Sequence, residues 1–172
     1  MNADSLPEHL LEQALHLANR ERKRPRQASL RRATSTAYYA LFHLLVRDAM
    51  RQIGPNLDEG LYNRAYRWFD HGTMYKVAKA FSESDVRAVN TKDILLKNRG
   101  WMELIAELFV NLQELRHSAD YDPGAVFIRA EVLEYLSFLH VVFDQWPSLR
   151  NTPECNAFLL SLLLWEKWSK QR

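Results

Sequence analysis

A file of polar side chains runs through the apolar segment RRATSTAYYALFHLL. Arg32, Ser35, Tyr39 and His43 are spaced three or four residues apart, so a helix would carry all four on one stripe of its surface. Such a stripe can line a groove in which an arginine binds an anion while a tyrosine or histidine moves a proton. The alternative is that Tyr39 and His43 belong to an amphipathic core and hydrogen-bond only through their tips.

A second polar group closes a later helical segment, in the sequence LRHSADYDPG. Arg116 can bind phosphate through two hydrogen bonds, and His117 or Tyr121 beside it can exchange a proton, with Asp120 in the same groove. The alternative is a plain helix end, where Arg116 and His117 complement the helix dipole and Asp122 caps the next helix.

A third candidate pair is Arg64 and His71, in the sequence NRAYRWFDHGTM, with six residues between them. One interpretation is that His71, which follows Arg64, has a functional role. The other interpretation is that Asp70, His71 and Gly72 form a turn in which the histidine has only a local role.

Glycines and prolines mark where the helices that carry these residues begin and end. Ser5 and Glu8 predict a capping box for the first helix, and a long second helix is expected over residues 26–53. Thr152 is expected to cap the last helix. The other predicted helices cover residues 58–69, 72–81, 101–121 and 126–145, and the polar segment SESDVRAVNTKD is expected to be a surface loop. The apolar run FLLSLLLW in the last helix is either core or an oligomer interface. We therefore predict one all-α domain without a sheet over residues 1–172.

Composition narrows the class of protein. With 47% hydrophobic residues among 172, the chain can bury a sizeable core. Charges interrupt its apolar stretches, and its first residues, MNADSLPEHL, do not have the basic and apolar regions of a signal peptide. We therefore expect a cytoplasmic protein outside the membrane. The single cysteine, Cys155, excludes an internal disulfide and is expected in the core. Neither a phosphate-cradling glycine loop nor a metal-ligand spacing occurs, so we expect no cofactor and no metal.

Basic residues are concentrated in one stretch although the net charge is only +2. Such a patch is either a solvated helix junction or a surface that contacts nucleic acid phosphates. Its members are Arg20, Arg22, Lys23, Arg24, Arg26, Arg31 and Arg32.

The combination of Ser-x-x-Tyr-Tyr-Ala-x-Phe-His in one helix and Ala-Asp-Tyr-Asp-Pro after another resembles the HEPN family, the higher eukaryotes and prokaryotes nucleotide-binding domains. The resemblance covers the chain from the first helix through residue 145, and residues 152–172 form an extra C-terminal helix outside it. It implies an up-and-down bundle of about six helices that often forms a homodimer. It also implies a nucleotidyltransferase-like partner protein, or a place in toxin–antitoxin and defence systems.

Many proteins of this family are metal-independent endoribonucleases whose signature is an arginine, four to six residues, and a histidine. By resemblance, Arg116 would hold the scissile phosphate of an RNA. The chain departs from the signature because the fifth residue after Arg116 is Tyr121, and the local histidine, His117, directly follows the arginine. Two functions therefore stay open: an RNA-interacting protein with ribonuclease activity, or a noncatalytic module that binds a nucleotidyltransferase-like protein or a nucleotide.

Overall fold

The computed structural model describes residues 5–54, 58–82 and 99–169. These ranges contain seven helices and no strand, so the predicted all-α helical bundle class is confirmed. The helices are α1 (Leu6–Ala18), α2 (Gln27–Ile53), α3 (Glu59–Tyr66), α4 (His71–Ser82), α5 (Arg99–Tyr121), α6 (Arg129–Leu149) and α7 (Pro153–Ser169).

The contacts of the chain divide it into two compact units. Unit 1 consists of Met1–Leu44 and Asn111–Trp146, and unit 2 consists of Leu45–Val110 and Pro147–Arg172. The candidate residues on α2 and at the end of α5 therefore belong to unit 1. A single domain over residues 1–172 stays a prediction.

The core of unit 1 is built by one apolar stripe from each of its helices, as expected for amphipathic helices around a common interior. Its fully buried aromatic residue is Tyr38, next to the half-buried Tyr39 in the predicted polar file. The other deeply buried side chains of this core are Ala14, Leu30, Ala33, Ala37, Leu41, Leu44, Leu112, Leu136 and Leu139.

In unit 2, α4 packs against α7. The rings of Phe81 and Phe158 meet edge to face with their centroids 4.9 Å apart. Phe158, Leu159 and Leu162 are at most 1% exposed, so these members of the apolar run in α7 are core residues of this unit.

Several helix ends differ from the prediction. The Ser5 side chain makes no capping hydrogen bond at the start of α1, whereas Thr152 does cap α7, because its Oγ1 accepts a 3.3 Å bond from the N–H of Cys155. Helix α6 continues through Pro147 in its last turns, where the predicted helix had already ended.

The start of α6 is also later than predicted. The helix begins at Arg129 and not at residue 126, because the preceding residues form a loop that is hydrogen-bonded to α2.

Most of the predicted surface loop SESDVRAVNTKD lies outside the described residues. Within the described ranges, the helices are all too short or too polar to cross a membrane.

Candidate functional site

Hydrogen bonds between side chains of the two predicted polar groups join α2 to the end of α5 inside unit 1. The Ser35 hydroxyl donates to Oδ2 of Asp120 over 3.3 Å, and Nη2 of Arg116 donates to the Tyr39 hydroxyl oxygen over 2.9 Å. Tyr39 follows Ser35 in the chain whereas Arg116 precedes Asp120, so the two helices run antiparallel here. The polar file of α2 and the group at the end of α5 thus face each other.

Arg116 lies at the centre of this cluster. Its Nε is 2.9 Å from Oδ2 of Asp120, and the two side chains are 19% and 22% exposed. Its guanidinium carbon also lies 6.0, 5.5 and 5.6 Å from the ring centroids of Tyr38, Tyr39 and Tyr121, within cation–π range. Burial by itself would lower the pKa of Arg116, but Tyr39 and Asp120 outweigh this effect. The pKa is therefore raised above its usual value, and the group is a permanent cation.

Tyr121 connects this cation to the only local histidine. The ring centroids of His117 and Tyr121 are 5.0 Å apart, since the two residues are four apart on α5 and therefore neighbours on its surface. The Tyr121 ring thus lies close to both the Arg116 guanidinium and the His117 imidazole, and Tyr121 is 65% exposed. The three residues predicted to be catalytic form a row that is open to solvent at Tyr121 and His117.

The remaining residues of the polar file occupy different environments. His43 is half-buried and stacks on Tyr39, with ring centroids 6.2 Å apart, so it continues the file by one helical turn. Phe42 meets the same imidazole edge to face at 5.3 Å. Arg32, at the other end of the file, is exposed.

Arg31, which the sequence placed only in the basic stretch, anchors the loop between α5 and α6. Its guanidinium donates to the carbonyl oxygens of Ala119, Asp122, Pro123 and Ala125 over 3.0, 2.8, 3.1 and 2.6 Å. One cation thus binds four carbonyl groups at the end of α5 and in the loop, of which that of Asp122 also accepts a 3.3 Å bond from the N–H of Ala125. No local signal in the sequence distinguishes Arg31 from its neighbours, because its role depends on a segment far along the chain.

Two further contacts fix the same loop. Gln27 pairs with the backbone of Phe127: its Nε2 donates to the carbonyl over 2.9 Å and its Oε1 accepts from the N–H over 2.8 Å. Asp122 accepts a 2.8 Å bond from the N–H of Gly124. The aspartate therefore stabilises the turn and does not cap α6, which corrects the helix-cap interpretation.

The pair Arg64 and His71 lies in unit 2, apart in sequence and unit membership from the Arg116 cluster. Arg64 is exposed in the last turn of α3. His71 is the first residue of α4, where Oδ1 of Asp70 accepts a 2.8 Å bond from the N–H of Thr73. This geometry is an ordinary helix N-cap, in keeping with the local interpretation of the histidine.

Most of the basic stretch is solvent-exposed and belongs to unit 1, like Arg116. The exposed members are Arg20, Arg22, Lys23, Arg24, Arg26 and Arg32.

Across the described residues, no three histidine, cysteine, aspartate or glutamate side chains come together as metal ligands would.

Comparison of the chain with protein-family models, with curated proteins and with solved structures finds no match. The HEPN resemblance therefore rests on the two motifs alone and stays a prediction.

Proposed function

We propose that this chain is a HEPN-type protein that interacts with RNA through Arg116, Tyr121 and His117 and cleaves it without a metal ion. The setting that the resemblance implies is a toxin–antitoxin or defence system. One observation carries the proposal: the centroid of the exposed Tyr121 ring lies 5.6 Å from the guanidinium carbon of Arg116, a permanent cation, and 5.0 Å from the centroid of the His117 imidazole.

Each member of this row matches one requirement of RNA cleavage. An exposed tyrosine ring is a surface on which an unpaired base can stack. The guanidinium can hold a phosphate and offset the negative charge that grows in the transition state. The imidazole of His117 can exchange a proton with the ribose 2′-hydroxyl or with the leaving oxygen.

The groove beside this row orients the arginine. A hydrogen bond from Nη2 to Tyr39 and the ion pair with Asp120 hold the guanidinium of Arg116 in place before any substrate arrives. Ser35 in turn holds Asp120 from α2. Exposed cations of the basic stretch in the same unit would add salt-sensitive affinity for the phosphate backbone.

The test compares purified wild type with His117→Ala and Tyr121→Phe on structured and unstructured RNA in EDTA. Both side chains are exposed, so the variants should keep the fold, unlike Arg116→Ala, which removes a contact between helices. Cleavage that persists in EDTA and is lost in His117→Ala supports the enzyme. His140→Ala is the matched control, because His140 is a 60% exposed helical histidine of the same unit.

A noncatalytic module is the second candidate, and one observation favours it. The side chain of Arg116 is only 19% exposed, donates a hydrogen bond from Nη2 to Tyr39 and forms an ion pair with Asp120, as expected of a residue that ties α2 to α5. Such a module would bind a nucleotidyltransferase-like protein or a nucleotide. The absence of cleavage across a broad RNA panel, by a folded wild type, would favour this candidate over the ribonuclease.

A homodimer is part of the proposal, because the resemblance implies that two protomers bring their motifs together. The surface would differ from the one that the sequence suggested, since Phe158, Leu159 and Leu162 already lie in the core of unit 2. Mass determination in solution tests it, and a monomeric mass at micromolar concentration contradicts the dimer.

A further inference from the structure

An open polar cleft lies in unit 2, away in sequence from the Arg116 cluster. Its volume is about 350 Å³, near the lower end of the range for small-molecule sites, and it belongs to unit 2 alone. Charged and amide side chains line it: Asp48, Arg51, Gln52, Arg150, Asn151 and Asn156. Nothing proposed above for the chain uses this cleft.

A buried carboxylate organises the cations of the cleft. Asp48 is only 4% exposed, and its Oδ1 accepts a 2.9 Å bond from Nη1 of Arg51 and lies 3.9 Å from Nη1 of Arg150. Nη2 of Arg47 approaches the other carboxylate oxygen at 3.4 Å. A buried charge is tolerated only when it is paired, so the ion pairs with these arginines are needed to keep the Asp48 carboxylate buried.

Two of these arginines are partly in solvent at the cleft. The side chains of Arg51 and Arg150 are 42% and 41% exposed. Among the charged residues that line the cleft, two are arginines, Arg51 and Arg150, and one is a carboxylate, Asp48. The cleft is therefore suited to an anion.

The amide side chains of the cleft set a second requirement for its ligand, which is a hydrogen-bond donor. Nε2 of Gln52 donates to Oδ1 of Asn156 over 2.6 Å, which fixes the orientation of the glutamine amide. Its Oε1 is buried and has no hydrogen-bond partner among the described residues. A buried acceptor without a partner is costly, so a ligand that donates a hydrogen bond to Gln52 would be favoured.

We propose that this cleft binds a small phosphorylated compound, with its phosphate on the guanidinium groups of Arg51 and Arg150 and a hydroxyl or amino group donating to Oε1 of Gln52. A phosphate monoester has three terminal oxygens and nearly two negative charges, so it can bridge two arginines at once. A carboxylate has two oxygens and is satisfied by one arginine.

Calorimetric titration of the full chain with ribose phosphate, inorganic phosphate and succinate tests the proposal. Ribose phosphate should bind most tightly and inorganic phosphate more weakly. Succinate should bind least, because its two carboxylates are separated by two methylene groups and cannot both meet Arg51 and Arg150 around one Asp48 carboxylate as the three oxygens of a single phosphate can. Arg150→Gln should weaken the binding of ribose phosphate by about tenfold to a hundredfold, because a charge-assisted pair is lost. Gln52→Met should weaken ribose phosphate but leave inorganic phosphate nearly unchanged.

Arg67→Gln is the matched control, since Arg67 is an exposed arginine of the same unit outside the cleft. Arg51→Gln removes a direct partner of a buried carboxylate, so its binding is compared only where circular dichroism shows that the variant folds. Arg150→Gln and Gln52→Met do not carry that risk to the same degree. The proposal is overturned if folded wild type binds none of the phosphates, or if Arg150→Gln binds them as tightly as Arg67→Gln does.

Discussion

Nη2 of Arg116 donates a 2.9 Å hydrogen bond to the hydroxyl oxygen of Tyr39, and this bond joins α5 to α2 within unit 1. The same guanidinium contacts Asp120 through Nε. The arginine is therefore both the cation of the candidate site and a contact between two helices. Variants of its partners can separate these roles.

Tyr39→Phe should lower the free energy of unfolding by about 1–2 kcal/mol, because it removes the acceptor of a half-buried, charged donor. Urea denaturation monitored by circular dichroism measures the change. Tyr121→Phe is the control: its side chain is 65% exposed, so a change within about 0.5 kcal/mol is expected. Equal effects of the two variants would contradict a special role for the Arg116–Tyr39 bond.

Arg31→Ala should be much more destabilising than Arg32→Ala, although the residues are adjacent. Arg31 donates to four carbonyl groups of the α5–α6 loop, whereas Arg32 is exposed. We expect a loss of about 3 kcal/mol for Arg31→Ala and less than about 0.5 kcal/mol for Arg32→Ala. Hydrogen exchange should show faster exchange in residues 122–128 of the first variant only. Similar stabilities would show that the loop does not depend on this anchor.

Asp70→Ala should lower the stability of unit 2 by about 1 kcal/mol at neutral pH, because α4 loses its N-cap. Asp70→Asn should lose less, since an asparagine side chain can also accept the Thr73 N–H bond. Thermal or urea denaturation of the three proteins measures the difference.

The stabilisation by Asp70 should also depend on pH. Burial raises the pKa of this carboxyl, but hydrogen bonds from Thr73 and Gly72 outweigh that effect and hold it below its usual value of 3.8. The folded state therefore binds the proton less readily than the unfolded state, and the charge-dependent stabilisation is complete above pH 3.8 and declines as the pH falls through the lower folded value. The stability difference between wild type and Asp70→Asn should shrink in this acid range. A difference that grows on acidification would contradict the assignment.

Cys155 should be unreactive towards thiol reagents in the native protein at pH 8. Burial, followed by the carboxylates of Asp48 and Glu154, raises the pKa of its thiol to about 12, so almost no thiolate is present. Unfolding should expose it, and because the sequence has one cysteine, a colorimetric thiol assay in urea reports this opening directly. Rapid labelling without denaturant would place the side chain at the surface.

The sequence predicted the helices well where the signal was local. Pro25 and Gly54 bracket α2, and Thr152 caps α7, because these residue types act on the backbone within one turn. The spacing of polar residues also predicted that Ser35 and Tyr39 share one stripe of α2, and the structure shows that this stripe faces Asp120 and Arg116. The function of these residues stays a proposal.

The predicted boundaries of helices were wrong where residues far away in the sequence determine them. Helix α6 begins at Arg129 because Gln27 and Arg31, about a hundred residues earlier, hold the preceding loop in place. The polar cleft of unit 2 has no sequence motif, because Asp48 and Arg150 meet only after folding.

The sequence by itself thus determined that the chain forms helices and which residues of α2 share a stripe, since periodicity and capping act over a few residues. Only the tertiary structure decided that Arg31 is tied to four carbonyl groups while Arg32 is exposed. Neighbouring side chains on a helix point about 100° apart, and packing against another segment determines which of them is enclosed.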